Sequence, residues 1–409
     1  MRNNYLNYFS TSGLGATFIG NGIGRFAYIT LMPALIQLGW FTKSEASYLG
    51  VATLFGYIFG ALSANLLLKY MHYRYLIRIS MLICSLSYLF CAAETFSIYW
   101  FYFWRTMAGV GGAMLMVLAP PIIMRNHNPS IRARVSGIVF SGIGLGAMLS
   151  GILIPFLIMY DLSAAWVGMG SISLLFTIYT WRAWGDGSST DTEKKKEKES
   201  ELTPLTSPEF FTIGLILMAY TLNAIGYLPH TLFWVDFIVR ELGMSLSSGG
   251  IFWAIFGIGA TIGPLVTGYM GDVFGLKRSL ILSFGLKAFG VALPLLDTSV
   301  ASLTVSSFLV GAFTPGVVTL ISTYTLECVG VSRHTKAWSM MTLSFAISQA
   351  VVGYIMAFVI ADFSTYLPLF LISSLALLVS MILIVATNTR KNLLYQDNTE
   401  GDEHVIIPK

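Results

Sequence analysis

The stretches Asn-Gly-Ile-Gly at 21–24 and Asn-Ala-Ile-Gly at 223–226 share the pattern Asn-x-Ile-Gly, and their offset of 202 residues is close to half of the 409-residue chain. The same offset relates two further pairs of glycines within long apolar segments: Gly109 with Gly311, and Gly151 with Gly353. Several matches at one offset indicate an internal repeat. The sequence therefore predicts two structurally related halves.

The composition predicts that these halves lie in a lipid bilayer. Hydrophobic residues make up 55% of the chain, charged residues only 11%, and the mean hydropathy is +0.72. Soluble domains carry about 25% charged residues, whereas a membrane-spanning helix needs about 20 mostly apolar ones. Twelve segments meet this need: 9–39, 46–68, 75–93, 97–124, 135–160, 162–182, 210–238, 247–270, 279–297, 299–325, 336–361 and 364–387. The predicted fold is an all-α membrane protein, with twelve transmembrane helices in two pseudo-symmetric six-helix bundles.

One long polar segment divides the chain. Residues 184–208, WGDGSSTDTEKKKEKESELTPLTSP, mix charges with Ser, Thr and Pro and bury too little apolar surface to fold. We interpret them as a cytoplasmic linker, with a regulatory element as the alternative. The N-terminal bundle then occupies 1–183, the C-terminal bundle 209–389, and a polar cytoplasmic tail 390–409.

The distribution of Lys and Arg predicts the orientation. With the N-terminus inside, only Lys43 and Arg240 of the 24 cationic residues lie on the outer side, and Arg25, Arg105 and Lys287 lie within spans. All the others lie on the inner side, as the positive-inside rule requires. The net charge of +4 thus reflects topology. We expect a multi-pass protein of the bacterial inner (cell) membrane with both termini cytoplasmic.

Several classes of function have no signal in the sequence. No nucleophile–His–carboxylate set, HExxH motif or P-loop occurs, and the three cysteines, Cys84, Cys91 and Cys328, lack metal-site spacing. No basic stripe interleaved with aromatic residues lies outside the spans. We therefore expect no enzyme, no cofactor, no bound metal and no nucleic-acid partner.

The segment 268–278, GYMGDVFGLKR, resembles the G-x-x-x-D-x-x-G-x-K/R signature of the major facilitator superfamily. The Arg-x-x-x-Gly pattern at 105–109 resembles the Arg-containing motif of that superfamily, and the glycines at 142–146 loosely resemble its antiporter motif without the expected Gly-Pro pair. The loop at 69–74 lacks the acidic residue and the glycine of the signature. More narrowly, GIGRFAYITLMP at 22–33 and GYLPHTLFWVDFIVREL at 226–242 resemble the YbfB/YjiJ branch. The resemblance implies a transporter and no particular substrate.

Ionisable side chains inside membrane spans are few and mark candidate functional positions. Arg25, Arg105, His230, Asp236 and Glu327 fall on spans 1, 4, 7, 7 and 10, which the resemblance implies line a central cavity. The repeat pairs Arg25 with Tyr227 and Tyr28 with His230, as expected for a pseudo-symmetric site at the middle of the membrane. The predicted substrate-binding residues are Asn21, Arg25, Tyr28, Arg105, Asn223, Tyr227 and His230. The predicted gating or coupling residues are Asp236, Asp272, Lys277, Arg278, Glu327 and Arg333.

Each candidate also has a structural interpretation. Arg25 is expected to bind an anionic substrate, flanked by Tyr28, Tyr227 and His230, but a carbonyl or tyrosine could hold it instead. Arg105 could simply tie helices together, and His230 could be a core residue. Asp236 is expected to pair with Arg240 at i,i+4. Glu327 is interpreted first as part of a cytoplasmic gate and second as a proton site. Lys287, on the ninth span, is expected to reach the interface with its long stem.

These residues favour a secondary active transporter that works by alternating access. It is expected to be coupled to protons, to function as a monomer, and to move a small anionic or zwitterionic solute such as an organic acid, an amino acid or a carboxylate siderophore. A multidrug or metabolite efflux antiporter is the alternative, followed by a membrane sensor or scaffold that does not transport.

Overall fold

The computed structural model describes residues 6–125, 127, 132–184, 207–362 and 365–387. Within these ranges the chain forms helices and no strands. Most of the predicted linker and all of the predicted tail lie outside the described residues. Ten helices are continuous: α2 (Lys43–Leu67), α3 (Tyr73–Leu89), α4 (Ile98–Arg125), α5 (Arg132–Ile158), α6 (Leu162–Thr180), α8 (Leu246–Phe274), α9 (Leu276–Leu296), α10 (Val300–Val329), α11 (Val331–Asp362) and α12 (Leu367–Val385).

The first helix of each half is broken in the middle. Helix α1 consists of Tyr8–Thr17, a π-helical segment Phe18–Ile23, and Ala27–Gln37. Helix α7 consists of Ser207–Gly226, π-helical segments Pro229–Phe233 and Phe237–Glu241, and the short Trp234–Asp236 between them. The first break contains the first copy of the Asn-x-Ile-Gly pattern, and the second break follows directly after the second copy, where Pro229 removes a helix hydrogen-bond donor. The internal repeat predicted from the sequence thus appears as a shared distortion.

Ten helical segments within the described ranges are long and apolar enough to cross a membrane, as judged by length and composition. Two predicted spans, α1 and α3, are not in this set, and the structure shows why. Helix α1 is divided into segments of 10, 6 and 11 residues, and α3 has only 17 residues, with Arg74 and Arg78 in its first turns. The six-plus-six arrangement nevertheless stands, because α1 packs against α5 and α3 packs against α4 and α6.

We call the end of the molecule where α1 begins and α12 ends the terminal end, and the other the opposite end. The two halves pack closely near the opposite end. A Cβ atom added to Gly151 on α5 would lie 2.4 Å from the carbonyl oxygen of Gly250 on α8, so only glycine permits this approach. Nearby, Trp253 Nε1 donates to Ser150 Oγ at 3.2 Å.

One stripe of α2 is covered to different extents along its length. Tyr48 and Phe55 contact Tyr354 of α11, with ring centroids 5.2 Å and 6.4 Å apart. Further along the same helical face the spacing of three and four residues continues, but the side chains become exposed: Phe59 at 61%, Leu62 at 55% and Leu66 at 51%. The stripe is therefore covered by the C-terminal half near the opposite end and uncovered near the terminal end.

Candidate functional site

Arg25 lies at the break in α1 and reaches across to the other half of the molecule. Its Nη2 donates to the hydroxyl of Tyr227 at 3.2 Å, and its guanidinium lies 5.3 Å from the centre of the Phe26 ring. Its Nε is buried and has no hydrogen-bond partner among the described residues. No carboxylate of the described chain forms an ion pair with it. The guanidinium therefore has unused donors where the two halves meet.

Tyr227 connects Arg25 to the interior of the C-terminal half. Its hydroxyl donates to Gln349 Oε1 on α11 at 2.7 Å while it accepts from Arg25. Arg25 and Tyr227 are related by the repeat offset of 202 residues, and a hydrogen bond joins them across the two halves. Because the two residues sit on opposite halves, this bond must change whenever the halves move apart.

Arg105 on α4 is a second cation without a counter-charge. It is 1% exposed, and its Nε, Nη1 and Nη2 all lack hydrogen-bond partners among the described residues. Its guanidinium lies 4.6 Å from the ring centre of Tyr28 and 5.4 Å from that of Tyr88. Stacking on tyrosine rings offsets part of the desolvation of the charge. The five donors of the guanidinium remain available to an anion.

Tyr28 and His230 do not flank Arg25, contrary to the expectation from the sequence. Tyr28 donates to the Ala46 carbonyl at 2.7 Å and packs within the N-terminal half. His230 is fully buried, bonds Ser306 through Nε2 at 2.9 Å and stacks on Trp234 at 4.1 Å. Tyr28 lies in the first turn of the helical segment after the break in α1, and His230 lies within the π-helical segment of α7.

The repeat explains why the two halves differ at this depth. The offset that relates Tyr28 to His230 also relates Arg105 to Ser307, which accepts a hydrogen bond from Trp234 Nε1 at 3.0 Å. The N-terminal half thus encloses an unpaired guanidinium where the C-terminal half has a bonded hydroxyl. The site has a pseudo-symmetric framework but an asymmetric charge, concentrated on Arg25 and Arg105.

Lys287 does not reach the membrane interface, so that expectation was wrong. Helix α9 begins at Leu276, which places Lys287 about 16 Å along the helix axis, farther than its stem can extend. The side chain is fully buried. Its Nζ donates to Asn223 Oδ1 at 3.0 Å and lies 4.9 Å from the centre of the Tyr227 ring. Lys287 therefore belongs to the same network as Tyr227 and Arg25.

The two repeated asparagines line this region with unused polar atoms. Asn21 is 8% exposed, and its Oδ1 has no hydrogen-bond partner among the described residues. Asn223 is 1% exposed; its Oδ1 accepts from Lys287, while its Nδ2 has no partner within the same part of the chain. An acceptor and a donor are thus left open at equivalent positions of the two halves.

A charged cluster closes the opposite end. Asp236 forms the expected pair with Arg240, with Nε–Oδ1 at 2.6 Å, and accepts a hydrogen bond from the Tyr366 hydroxyl. Glu241 accepts from the backbone N–H of Tyr366 at 2.7 Å. Lys43 Nζ, from the other half, lies 5.1 Å from the centre of the Tyr366 ring. This cluster joins α2, α7 and α12 and so links the two halves.

The predicted gating residues at the terminal end are spread apart. Asp272, Arg278 and Glu327 are exposed. Lys277 donates to the Thr387 carbonyl at 2.6 Å, and Arg333 lies 3.5 Å from Glu209. These two contacts stay inside the C-terminal half. An ion pair of Glu327 with Lys277, Arg278 or Arg333 is not formed among the described residues.

An apolar cavity of about 340 Å³ lies between α7 and α11. Leu217, Met340, Leu343, Ser344, Ile347 and Ser348 line it. None of the predicted site residues is among them. We place the candidate site instead at the buried cations, because desolvated charges without partners require a ligand more strongly than an apolar wall does.

Comparison with known proteins agrees with this architecture. Residues 17–385 match the family described as "Uncharacterised MFS-type transporter YbfB". The chain belongs to this family. It is therefore a transporter of the major facilitator superfamily and not an enzyme, as the sequence motifs had indicated. No curated protein sequence matches the transporter significantly.

Solved structures resemble the transporter in fold. The crystal structure of a D-xylose–proton symporter aligns with a TM-score of 0.72 at 16% identity, covering 94% of this chain and 98% of that one. A bacterial homologue of the human lysosomal transporter Spinster, in an inward-facing and unoccupied conformation, aligns with a TM-score of 0.62 at 16% identity, covering 92% and 94%. These similarities show the twelve-helix fold of a multi-pass integral membrane protein.

Sequence reasoning missed three partners within the site: Tyr88, Gln349 and Ser306. Tyr88 stacks on Arg105, Gln349 accepts from Tyr227, and Ser306 bonds His230. Neutral polar residues are common in this chain, so their type alone gave no signal. The repeat offset relates Tyr88 to Gly290, and the Gly290 carbonyl accepts a hydrogen bond from Ser306 at 2.6 Å. The offset therefore connects two of the three missed residues.

Proposed function

We propose that this transporter moves a small organic anion or zwitterion, of the organic-acid, amino-acid or carboxylate-siderophore kind, by alternating access and coupled to the proton gradient. The observation that carries the substrate class is the guanidinium of Arg25. It lies where the halves meet, has a hydroxyl as its described partner and keeps an unpartnered buried Nε. A guanidinium at the centre of a bilayer costs at least about 2.5–3.5 kcal/mol on insertion scales. A carboxylate ligand would offset that cost with two parallel hydrogen bonds.

The remaining features support alternating access. The charged cluster around Asp236 holds the opposite end closed, while the stripe of α2 from Phe59 to Leu66 is bare at the terminal end. If the terminal end is cytoplasmic, as the Lys and Arg distribution predicts, this conformation is open to the inside. The fold likeness to a D-xylose–proton symporter is compatible with proton coupling.

A thermal-shift screen with matched ligand pairs tests the substrate class. Each pair consists of a carboxylic acid and its primary amide, drawn from organic acids, amino acids and carboxylate chelators. A ligand at 100 times its dissociation constant stabilises the folded state by about 2.7 kcal/mol. We expect at least one acid to stabilise the purified transporter and its amide to have no effect. Equal stabilisation by an acid and its amide, or by cationic drugs alone, contradicts the proposal.

The orientation predicts opposite reactivities for cysteines at the two ends. Thr298 and Tyr70 are both exposed, at the opposite and the terminal end respectively, whereas the native cysteines are buried. In intact cells we expect a membrane-impermeant maleimide to label Thr298→Cys and not Tyr70→Cys. Permeabilised cells, in which both should react, serve as the control. Labelling of Tyr70→Cys in intact cells contradicts cytoplasmic termini.

Glu327 is proposed to pair with Lys277, Arg278 or Arg333 when the terminal end closes. An ion pair that exists in one state only biases the equilibrium between states. We therefore expect Glu327→Gln to increase maleimide labelling of a cysteine placed at Phe59 in permeabilised cells, with ligand affinity changed by no more than a few-fold. Thr323→Ala, an exposed neighbour on the same helix, is the matched control. Loss of pH-dependent transport with unchanged labelling would instead make Glu327 the proton site.

A further inference from the structure

Lys287 is the most deeply buried amine that the structure describes in this protein. It is 0% exposed, near the middle of α9, and its described hydrogen bond runs from Nζ to Asn223 Oδ1 at 3.0 Å. An amine can exist with or without its extra proton, whereas the guanidinium of Arg25 keeps its charge.

The groups facing Lys287 supply no permanent negative charge. The helices packed against α9 carry few charged residues: α12 has none, α8 has Asp272 near its terminal end, and α10 has Glu327 near its terminal end. The other ionisable residues of these helices, Tyr269, Tyr324 and Cys328, also lie toward that end. From α7, Lys287 faces Tyr227 and His230. The position is therefore suited to a proton that comes and goes, because no carboxylate holds the ammonium form in place.

Tyr227 connects this amine to the proposed substrate site. Its ring centre lies 4.9 Å from Lys287 Nζ, and its hydroxyl accepts from Arg25 Nη2 at 3.2 Å. Two cationic groups thus share one neutral side chain. When Lys287 is protonated, the two positive charges repel each other through a medium of low dielectric constant. An anion bound to Arg25 removes that repulsion.

We propose that Lys287 is the proton-binding site of the transporter, and that an organic anion at Arg25 favours its protonation. The lone pair of Nζ takes up one proton, converting the amine to an ammonium that still donates to Asn223 Oδ1; release reverses this step. The coupling to an anion rests on the proposed function. By linkage, protonation must raise anion affinity by the same factor by which the anion raises proton affinity. Proton and anion then move together, which is symport.

A pH jump without any solute tests the proton site separately from the substrate class. Proteoliposomes on a solid-supported membrane are switched from mildly alkaline to mildly acidic buffer, and the displaced charge is recorded. We expect the wild type to give a transient current that Lys287→Met abolishes. Lys69→Met, at an exposed lysine at the end of α2, should match the wild type. A current unchanged in Lys287→Met, or absent in the wild type, overturns the proposal.

A second variant distinguishes a proton site from a lysine that is only structural. Asn223→Asp places a carboxylate about where the amide oxygen accepts from Lys287, and an opposite charge at this range raises the pH of lysine titration by about 1–3 units. We expect the midpoint of the pH dependence of the current to move to higher pH by that amount. In the Asn223→Asp/Lys287→Met double variant, the current with this shifted midpoint should be absent. A midpoint that does not move overturns the assignment even if Lys287→Met fails to fold.

The substrate coupling has its own readout. With the acid found in the thermal-shift screen as the probe, lowering the pH should tighten binding by about 5- to 150-fold, the usual range of coupling between two sites. Lys287→Arg, which keeps the charge at all pH values, should bind the acid with no pH dependence. If no acid binds but the pH-jump current behaves as expected, the proposed substrate class fails and the proton site stands. If an acid binds with the same pH dependence in Lys287→Arg, the coupling is refuted.

Discussion

Replacing Arg25 with alanine is expected to weaken binding of a carboxylate ligand by more than about 100-fold. A hydrogen bond to a charged group contributes about 1.5–3 kcal/mol, and a bidentate pair contributes two of them. The loss is therefore about 3 kcal/mol or more, which corresponds to a factor above 100 in the dissociation constant. Binding of the acid identified by thermal shift, measured by isothermal titration calorimetry on the purified protein, gives this number directly.

The physical reason is that Arg25 has more N–H donors than described hydrogen-bond partners. A guanidinium carries five N–H donors, yet the described hydrogen bond uses one of them, from Nη2 to Tyr227. Since no ion pair of Arg25 is lost, Arg25→Ala should still insert and fold, with a melting temperature close to that of the wild type. Arg25→Lys keeps the charge but loses the planar pair of donors, so it should bind the acid more weakly than the wild type.

Two controls separate binding from structure at Arg25. Tyr227→Phe removes the acceptor hydroxyl but leaves the guanidinium, so it should change acid affinity far less than Arg25→Ala does. The primary amide of the same ligand should bind wild type and Arg25→Ala equally poorly. The prediction fails if Arg25→Lys transports the acid normally, or if Arg25→Ala unfolds on extraction. Either result makes Arg25 a structural residue held by Tyr227.

The long-range architecture was predictable because repeats and hydropathy act over many residues. The offset of 202 residues read from the sequence is the offset of the Arg25–Tyr227 hydrogen bond, and the broken helices α1 and α7 both carry the repeated motif. Local rules also predicted the Asp236–Arg240 contact, since residues four apart on a helix are neighbours. These features depend on spacing along the chain, which a sequence displays.

Side-chain directions near the helix breaks were not predictable. An uninterrupted helix would place Tyr28 and His230 on nearly the same face as Arg25 and Tyr227, three residues earlier. The π-helical segment and the turn that follows it in α1 change the angle between those positions, so Tyr28 turns to the Ala46 carbonyl. A sequence indicates that a Gly- or Pro-rich helix will bend, but not by how much.

The prediction that Lys287 reaches the membrane interface was wrong for a related reason, because it depended on where helix α9 begins. An error of a few residues in where α9 begins decides whether a lysine stem reaches the headgroups. The true start at Leu276 leaves Lys287 in the interior, where Asn223 is the available acceptor. Its partner is a neutral amide, a type that occurs at many positions. Complementary charges would have been easier to pair from the sequence alone.

Replacing Arg105 with methionine is expected to remove transport and leave the stability of the fold unchanged within about 1 kcal/mol. Isolated buried charges normally cost at least about 2.5–3.5 kcal/mol in a membrane helix, while a desolvated cation–π contact returns about 2 kcal/mol. Arg105 makes two such contacts, with Tyr28 and Tyr88, and none of its nitrogens has a hydrogen-bond partner among the described residues. The two effects nearly cancel. A truncation that breaks a buried ion pair would instead cost about 3–5 kcal/mol.

The rings of Tyr28 and Tyr88 should stay in place when Arg105 is replaced, because their hydroxyls are bonded to the backbone. Tyr28 donates to the Ala46 carbonyl and Tyr88 to the Ile23 carbonyl, both at 2.7 Å, so α1 stays tied to α2 and α3 when the guanidinium is removed. We therefore expect the guanidinium to act in a step in which an anion pairs with it. In Arg105→Met, uptake into proteoliposomes should therefore be lost while the melting temperature in detergent stays close to that of the wild type. The control Phe103→Leu, at an exposed neighbour on α4, should match the wild type in both measurements. If transport and melting temperature fall together, Arg105 is a structural clamp between the tyrosines, and the anion is held by Arg25 alone.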